Sequence, residues 1–348
     1  MNHWAALGDV IAAEFTEWDL RPAALLDRER AMYGSADPQE IARRVDAFCA
    51  AHLGLPIDAY VFYASSQAGV SGVQLADGRR IVVKAHTPTW SPAFLHAVHR
   101  VQRYLASHDF PCPRPLLAPA RLGHGYAIVE EFVDEGDYAD AHQPAIRRAM
   151  AATLAQLVLA TRSLRNMADL QPAPLPSGSL WPVPHSPIFD FEATTAGAEW
   201  IDRLAAEARA AVARGTGEIV IGHADWSTQN CRFVGDTLRV VYDWDSLTRD
   251  KETTVVAHAA TTFPMNWLLP EPPVAPSPEE ARAFIAEYEA ARGARFTDTD
   301  WEGMAAAATY SLAYGARLEH SLHPDATDFP VGGGRARLAV YGNAFLRR

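Results

Sequence analysis

Two kinds of apolar spacing divide this chain. Near the N-terminus Trp4, Leu7, Val10, Ile11, Phe15 and Trp18 recur every three or four residues, which places them on one face of a helix. A second helix is announced by Asp37 followed by Pro38, a cap with proline in the first turn, and runs through Ile41, Val45 and Phe48 towards Gly54. From residue 59 the period becomes two. Strands are predicted at 60–63, 70–75 and 81–85, with Asp77 and Gly78 forming the last hairpin turn. An extended, proline-rich connector at 111–115 leads to another strand at 126–133. Beyond it the pattern is mainly helical: 145–164, 199–214, 255–263, 278–292 and 300–319, interrupted by proline-rich excursions at 172–187 and 269–278. Residues 1–55 read as a helical extension packed on the lobe that follows, in preference to a partner-binding segment.

The polar chemistry gathers between residues 218 and 250, which read EIVIGHADWSTQNCRFVGDTLRVVYDWDSLTRD. The apolar run 219–221, ending at Gly222, predicts a buried strand that delivers His223 and Asp225 on a loop. Residues 232–234 and 238–242 are two further strands, separated by Gly235 and Asp236. A hairpin closing near Asp236 and Thr237 sets Asn230 roughly opposite Asp243, with side chains about 5 Å apart. An amide and a carboxylate converging in this way suit Mg²⁺, which takes one or two carboxylates from protein and fills its shell with water and substrate phosphates. Upstream, the small-residue loop 65–72, which includes Ser71, can bring backbone N–H groups to a phosphate, although no G-K-S/T follows it. Lys84 closes the third strand as Ile-Val-Val-Lys. His96 and His99 lack further ligands and read as packing or surface residues.

Composition narrows the field. The 348 residues allow one large or two modest domains. No apolar run approaches 18 residues, and Asp9, Glu14 and Glu17 stand where a signal peptide would be apolar, so a cytoplasmic location is expected. Cys49, Cys112 and Cys231 have no C-x-x-C spacing and are expected as buried thiols, with Cys231 facing away from Asn230. A net charge of -11 argues against nucleic acid and is compatible with a cationic substrate.

The order H-x-D-x-x-x-x-N followed by D-W-D, over His223 to Asp245, resembles the catalytic core of the aminoglycoside phosphotransferase and small-molecule kinase family, relatives of the protein kinases. The resemblance spans about 57–338 and implies a two-lobed α+β fold of the protein-kinase kind. Residues 1–133 would form a small β-rich N-lobe with the extension 1–55, and 134–348 a helical C-lobe with the catalytic loop and acceptor pocket. It implies ATP- or GTP-dependent phosphorylation of a hydroxyl group on a small molecule, an aminoglycoside-like cation among the candidates. Asp225 would take up the hydroxyl proton and His223 would brace the loop. Asn230 and Asp243 would hold Mg²⁺, while Asp245 would bind a second metal or substrate, or hydrogen-bond to a ligand. Lys84 and the loop of Ser71 would grip the phosphates, and the backbone of Glu131 to Val133 would meet the adenine edge as a hinge. A monomer or homodimer acting on a small molecule, with no membrane partner, is expected.

The chain departs from the family at several points. Ala224 and Gln229 occupy glycine places, and Ser227 sits where many members have histidine, which makes 226–229 the expected seat of specificity. The helix 92–108 carries no acid to pair with Lys84. That omission keeps a second reading open, a catalytically weak nucleotide-binding protein acting through partners. Among the later acids Glu271, Glu279, Glu280, Glu287 and Glu319, nothing in sequence selects an acceptor-binding residue.

Overall fold

The computed structural model describes residues 3–16, 22–170, 178–215, 217–271, 273–327, 329–330 and 332–347, in two compact units. Part of the excursion expected at 172–187, and Trp18, lie outside the described residues, as does the side chain of Trp4. The first unit comprises Met1–Ser107, Pro113–Asp134 and His185–Ile188; the second holds the remainder. No helix among the described residues is long and apolar enough to cross a membrane.

In the first unit three helices precede the sheet: α1 (His3–Thr16), α2 (Pro22–Tyr33) and α3 (Pro38–Leu53). The start of α3 follows its sequence signal, because Asp37 Oδ1 accepts the Glu40 N–H at 2.8 Å and Pro38 needs no hydrogen-bond donor there. Gly54 ends it at φ +73°, a left-handed conformation that costs glycine little. Strands β1 (Ile57–Ser65), β2 (Gly69–Leu75) and β3 (Arg80–His86) follow, then α4 (Pro92–Ala106), β4 (Pro115–Leu122) and β5 (Gly125–Glu131). They form one antiparallel sheet in the order β1-β2-β3-β5-β4. Two elements escaped the sequence reading. Helix α2 was hidden by its many charges, and β4 by Pro115 and Pro119, which are tolerated because β4 is an edge strand with shifted register.

The sheet has two different faces. Val73, Ile81, Val83, Ala85, Ala127 and Val129 point one way and share a buried core with Leu7, Ile11, Met32, Ile41, Val45 and Phe48 of the N-terminal helices. The extension is therefore the outer layer of this sheet. It also reaches the β1–β2 turn. Glu29 of α2 is fully buried, and its carboxylate accepts from Tyr63 Oη at 2.6 Å and from the Ser65 hydroxyl, while Glu14 of α1 accepts the Ser65 N–H at 3.2 Å.

In the second unit α5 (Pro144–Ala160) and α6 (Glu199–Arg214) precede β6 (Ile219–His223), β7 (Cys231–Val234), β8 (Thr237–Val241) and β9 (Leu247–Lys251). Helices α7 (Glu252–Thr262), α8 (Pro278–Arg292), α9 (Asp298–Leu322) and α10 (Gly334–Tyr341) complete it. The strands make two small antiparallel ladders, β6 with β9 and β7 with β8. Strand β9 was not predicted, since Leu-Thr-Arg-Asp-Lys has no apolar alternation, and it forms because β6 offers its backbone as a partner. The capping boxes Ser277/Glu280 and Thr297/Asp300 fix the starts of α8 and α9.

Two outcomes follow from this packing. A Cβ at Gly222 would lie 2.4 Å from Val255 Cγ1, and that branched side chain cannot swing away. Gly222→Ala is expected to cost about 1–3 kcal/mol in urea denaturation, and adding Val255→Ala to relieve part of that loss. Burial, the leading influence, lifts the Glu29 carboxyl above the usual carboxylate range. A raised carboxyl pKa means that the fold holds this proton more tightly than the unfolded chain does. The stability it contributes is present below the unfolded-chain value and lost as pH rises through the folded one. The melting temperature of wild type relative to Glu29→Gln is therefore expected to fall as pH rises above the ordinary carboxylate range, about pH 4, in a thermal-shift series.

Candidate active site

The site in the second unit grows from the end of β6. His223 is 1 % exposed, and its ring meets Trp226 and Trp244 edge-on at 5.8 and 5.9 Å. Its Nδ1 accepts the Asp225 N–H at 3.2 Å, so Nε2 carries the proton and donates to the Tyr242 carbonyl at 3.0 Å. This places a neutral imidazole between the catalytic-loop candidate and the end of β8. Beyond it the half-buried Asp225 side chain is held from two sides. Ser227 Oγ donates to Oδ1 at 3.2 Å and Asn230 Nδ2 donates to Oδ2 at 2.8 Å. The same Asn230 amide donates to the Asp225 carbonyl at 3.0 Å.

Asn230 spends both amide hydrogens on Asp225, so its carbonyl oxygen is the atom turned away from that residue. The Tyr242 N–H donates to the main-chain carbonyl of Asn230, not to its side-chain oxygen, at 2.8 Å. Four residues are thus closed into a ring: His223 to Asp225, Asp225 to Asn230, Asn230 to Tyr242, and Tyr242 back to His223. This corrects the expected hairpin register. The turn falls on Gly235 and Asp236 with Val234 opposite Thr237, a register that by itself would set Val241 opposite Asn230, and the irregularity between Arg232 and Phe233 moves the partner to Tyr242, one short of Asp243.

Asp243 follows immediately and leaves the strand through a left-handed conformation, φ 63° and ψ 48°, which aspartate and asparagine adopt more readily than other residues with a side chain. The turn that holds it is closed by the Ser246 N–H on the Asp243 carbonyl at 2.9 Å and the Ser246 hydroxyl on Oδ2 at 2.5 Å. Ser246 in turn accepts the Ala224 N–H at 2.7 Å, which ties Asp243 to the loop of Asp225. Asp245 is 7 % exposed in this turn, and Trp244 is anchored by Nε1–H on the Val241 carbonyl at 2.8 Å. The donors suit a hard cation. An amide oxygen and a carboxylate are offered, and no group of three or more His, Cys, Asp or Glu side chains arranged for a metal exists among the described residues.

A residue missed by the sequence reading lies beneath this loop. His258 of α7 approaches the Ala224 backbone, and its Nδ1 is 2.9 Å from Ser311 Oγ, itself 2.7 Å from Thr261 Oγ1. Burial, ahead of the opposing charge of Asp225, lowers its pKa and favours the neutral ring. Its signal was a lone histidine in the otherwise apolar run Val-Val-Ala-His-Ala-Ala.

The loop 226–229 differs from expectation. Trp226, Ser227 and Thr228 are buried, the Thr228 N–H donates to the Phe263 carbonyl at 3.0 Å, and Gln229 Oε1 accepts the Trp267 N–H at 3.2 Å. It is mainly an attachment to the segment after α7. Among the acids left open, Glu280 caps α8 and meets His142 at 2.7 Å, and Glu287 forms a two-pronged pair with Arg147 at 3.0 Å. Glu319 accepts the Gly334 and Arg335 N–H groups. All three serve the fold.

The candidates of the first unit lie in its sheet. Lys84, 8 % exposed, pairs with Val70 on one side and Ile128 on the other. Ser71 is the neighbour of Val70, so its side chain points to the opposite face. It is fully buried beside Tyr33 and Tyr60, which removes its hydroxyl from the expected phosphate loop. That loop is a three-residue turn between Ser65 and Gly69. The Glu131 N–H donates to the Arg114 carbonyl at 2.9 Å, leaving hinge contact from that residue to its carbonyl. Strand β5 ends there, two residues short of Val133.

Comparison with known proteins extends this picture. A family model described as the phosphotransferase enzyme family matches residues 65–307. Among solved structures, an amicoumacin kinase in complex with AMP-PNP and Ca²⁺ among its ligands is 12% identical, with a TM-score of 0.59 over 95% of this chain and 93% of its own. A putative aminoglycoside phosphotransferase from Ralstonia eutropha is 14% identical, TM-score 0.53, over 87% of this chain and 96% of its own. A spectinomycin phosphotransferase in complex with ADP and spectinomycin is 12% identical, TM-score 0.52, over 88% and 93%. At such identities the likeness is one of fold: an antiparallel sheet in the N-terminal region and helices in the C-terminal region, as in the protein kinases. No match is found among curated protein sequences. The matched segment covers more than half of the chain, which therefore belongs to the phosphotransferase enzyme family.

Proposed function

We propose that this chain transfers the terminal phosphoryl group of ATP to a hydroxyl group of a small molecule, with Mg²⁺ held by Asn230 and Asp243. The observation that carries the reading is the Asn230 amide, whose two hydrogens fix Asp225 while its oxygen faces away, joining candidate base and candidate metal ligand in one contact. When bound, Mg²⁺ neutralises phosphate charge as it develops. Asp225, held at both carboxylate oxygens, orients the acceptor hydroxyl and takes its proton. A strong base is unnecessary, because positioning and charge stabilisation supply most of the catalysis in a loose phosphoryl-transfer transition state.

His223 braces the loop, and Asp245 supports the metal ligands from its buried place in the same turn. Lys84 positions the phosphates, and the Glu131 carbonyl with the Val133 backbone meets the adenine. Residues 1–133 serve nucleotide binding, and 134–348 carry the catalytic loop and acceptor pocket. The nucleotides named with the amicoumacin and spectinomycin enzymes support ATP as donor, and their named substrates support a polar, hydroxylated acceptor.

Purified protein incubated with MgATP and a panel of hydroxylated small molecules is expected to give a phosphomonoester signal by phosphorus NMR. Asp225→Asn is expected to lower kcat by about 10²–10⁴ with an unchanged melting temperature. Wild-type turnover in that variant would sink the assignment.

A further inference from the structure

Protein kinases pair the strand lysine with a glutamate on the following helix, and α4 carries no acid from Pro92 to Ala106. What α4 turns towards the sheet is Gln102, 1 % exposed among Leu95, Val98, Val101 and Leu105. Its Nε2 donates to Glu130 Oε1 and to the Pro113 carbonyl, both at 2.9 Å. Both hydrogens of this amide are used, and one of them is aimed at a carboxylate that is itself only 7 % exposed.

The strand register places that carboxylate. Lys84 is opposite Ile128 and Val82 is opposite Glu130. Residues directly opposite share a face, and so do residues two apart, so Lys84 and Glu130 stand on the same face of the sheet. It is the face turned away from the core of Val83, Ala85, Ala127 and Val129. The two are diagonal neighbours, about 7–8 Å apart in the backbone and within reach of long side chains. A buried carboxylate and a buried ammonium at that spacing stabilise one another's charged forms, and each would be costly alone. A glutamate at position 102 would bring two carboxylates together. A glutamine there instead donates to the acid on the strand.

The lysine inventory points the same way. The chain has two lysines, Lys84 and Lys251. Lys251 Nζ donates to the Val212 carbonyl at 2.8 Å and the Gly215 carbonyl at 2.5 Å, a structural role. At every other cationic side chain except histidine this chain uses arginine, so Lys84 stands out as a place that calls for a compact ammonium.

We propose that Glu130 is the counter-ion that steadies Lys84 in the nucleotide site, and that Gln102 is the positioning residue that holds Glu130 there, so that β5 supplies the acid that α4 lacks. This rests on the proposed nucleotide-dependent reaction. The missing helix glutamate is then a relocation across one hydrogen bond.

The test is a swap. Glu130→Gln is expected to weaken MgATP binding, measured by calorimetry, by about tenfold, equivalent to about 1.4 kcal/mol, while the acceptor KM stays unchanged. Gln102→Glu combined with Glu130→Gln returns the carboxylate to the helix and is expected to restore most of the lost affinity. In nucleotide-free protein, ¹³C-dimethylated lysines give resonances for Lys84 and Lys251, distinguished by Lys84→Arg. Glu130→Gln is expected to lower the titration of Lys84 by about one pH unit and leave Lys251 in place. Unchanged nucleotide affinity and unchanged Lys84 titration in Glu130→Gln overturn the proposal and leave the phosphotransferase reading intact. A swap that folds, by its melting temperature, but recovers no affinity also overturns it. Failure of wild-type protein to bind MgATP removes the reading itself and the proposal with it.

Discussion

The candidate site of the second unit depends on a closed ring of hydrogen bonds, from His223 to Asp225, Asn230, Tyr242 and back. Each member uses a different chemical capacity. The imidazole accepts on one nitrogen and donates on the other, which a single neutral tautomer satisfies. The Asn230 amide gives two hydrogens to Asp225, and the Tyr242 peptide gives its N–H and accepts at its carbonyl. Turning the His223 ring or the Asn230 amide breaks two hydrogen bonds at once, and inside a protein such breaks cost more than in water. The strained backbone of Asp243 begins where the ring ends. Left-handed backbone outside glycine persists where surrounding contacts over-determine it, as Ser246 does here.

The first unit follows another logic, two faces of one sheet with opposite duties. One face is filled by apolar side chains against the three N-terminal helices, and Ser71 is caught in it. The other keeps Lys84 and Glu130, buried charges that a closed apolar core could not hold. The N-terminal extension lies entirely ahead of the segment matched by the family model, yet its Glu14 and Glu29 grip Ser65 at the mouth of the β1–β2 turn. The extension is part of the sheet's architecture, and the geometry of that turn is set from behind.

What the sequence by itself determined was whatever local chemistry enforces. The Asp37–Pro38 cap, the Gly235–Asp236 turn, the alternation of β2 and β3 and the helical runs of α5 to α8 are decided within a few residues. That His223, Asp225, Asn230 and Asp243 come together was legible because a strand, a loop and a hairpin in that order deliver them to one end. Tertiary structure decided the rest. The proline-bearing edge strand β4 and the charged β9 exist because a neighbouring strand offers its backbone, which no local pattern reports. The face of Ser71 followed from parity in a register that the sequence leaves open, and the placement of Asp243 from the turn position together with the irregularity at Arg232 and Phe233. His258 under Ala224 and Gln102 against Glu130 join elements far apart in the chain, so only folding could bring them together.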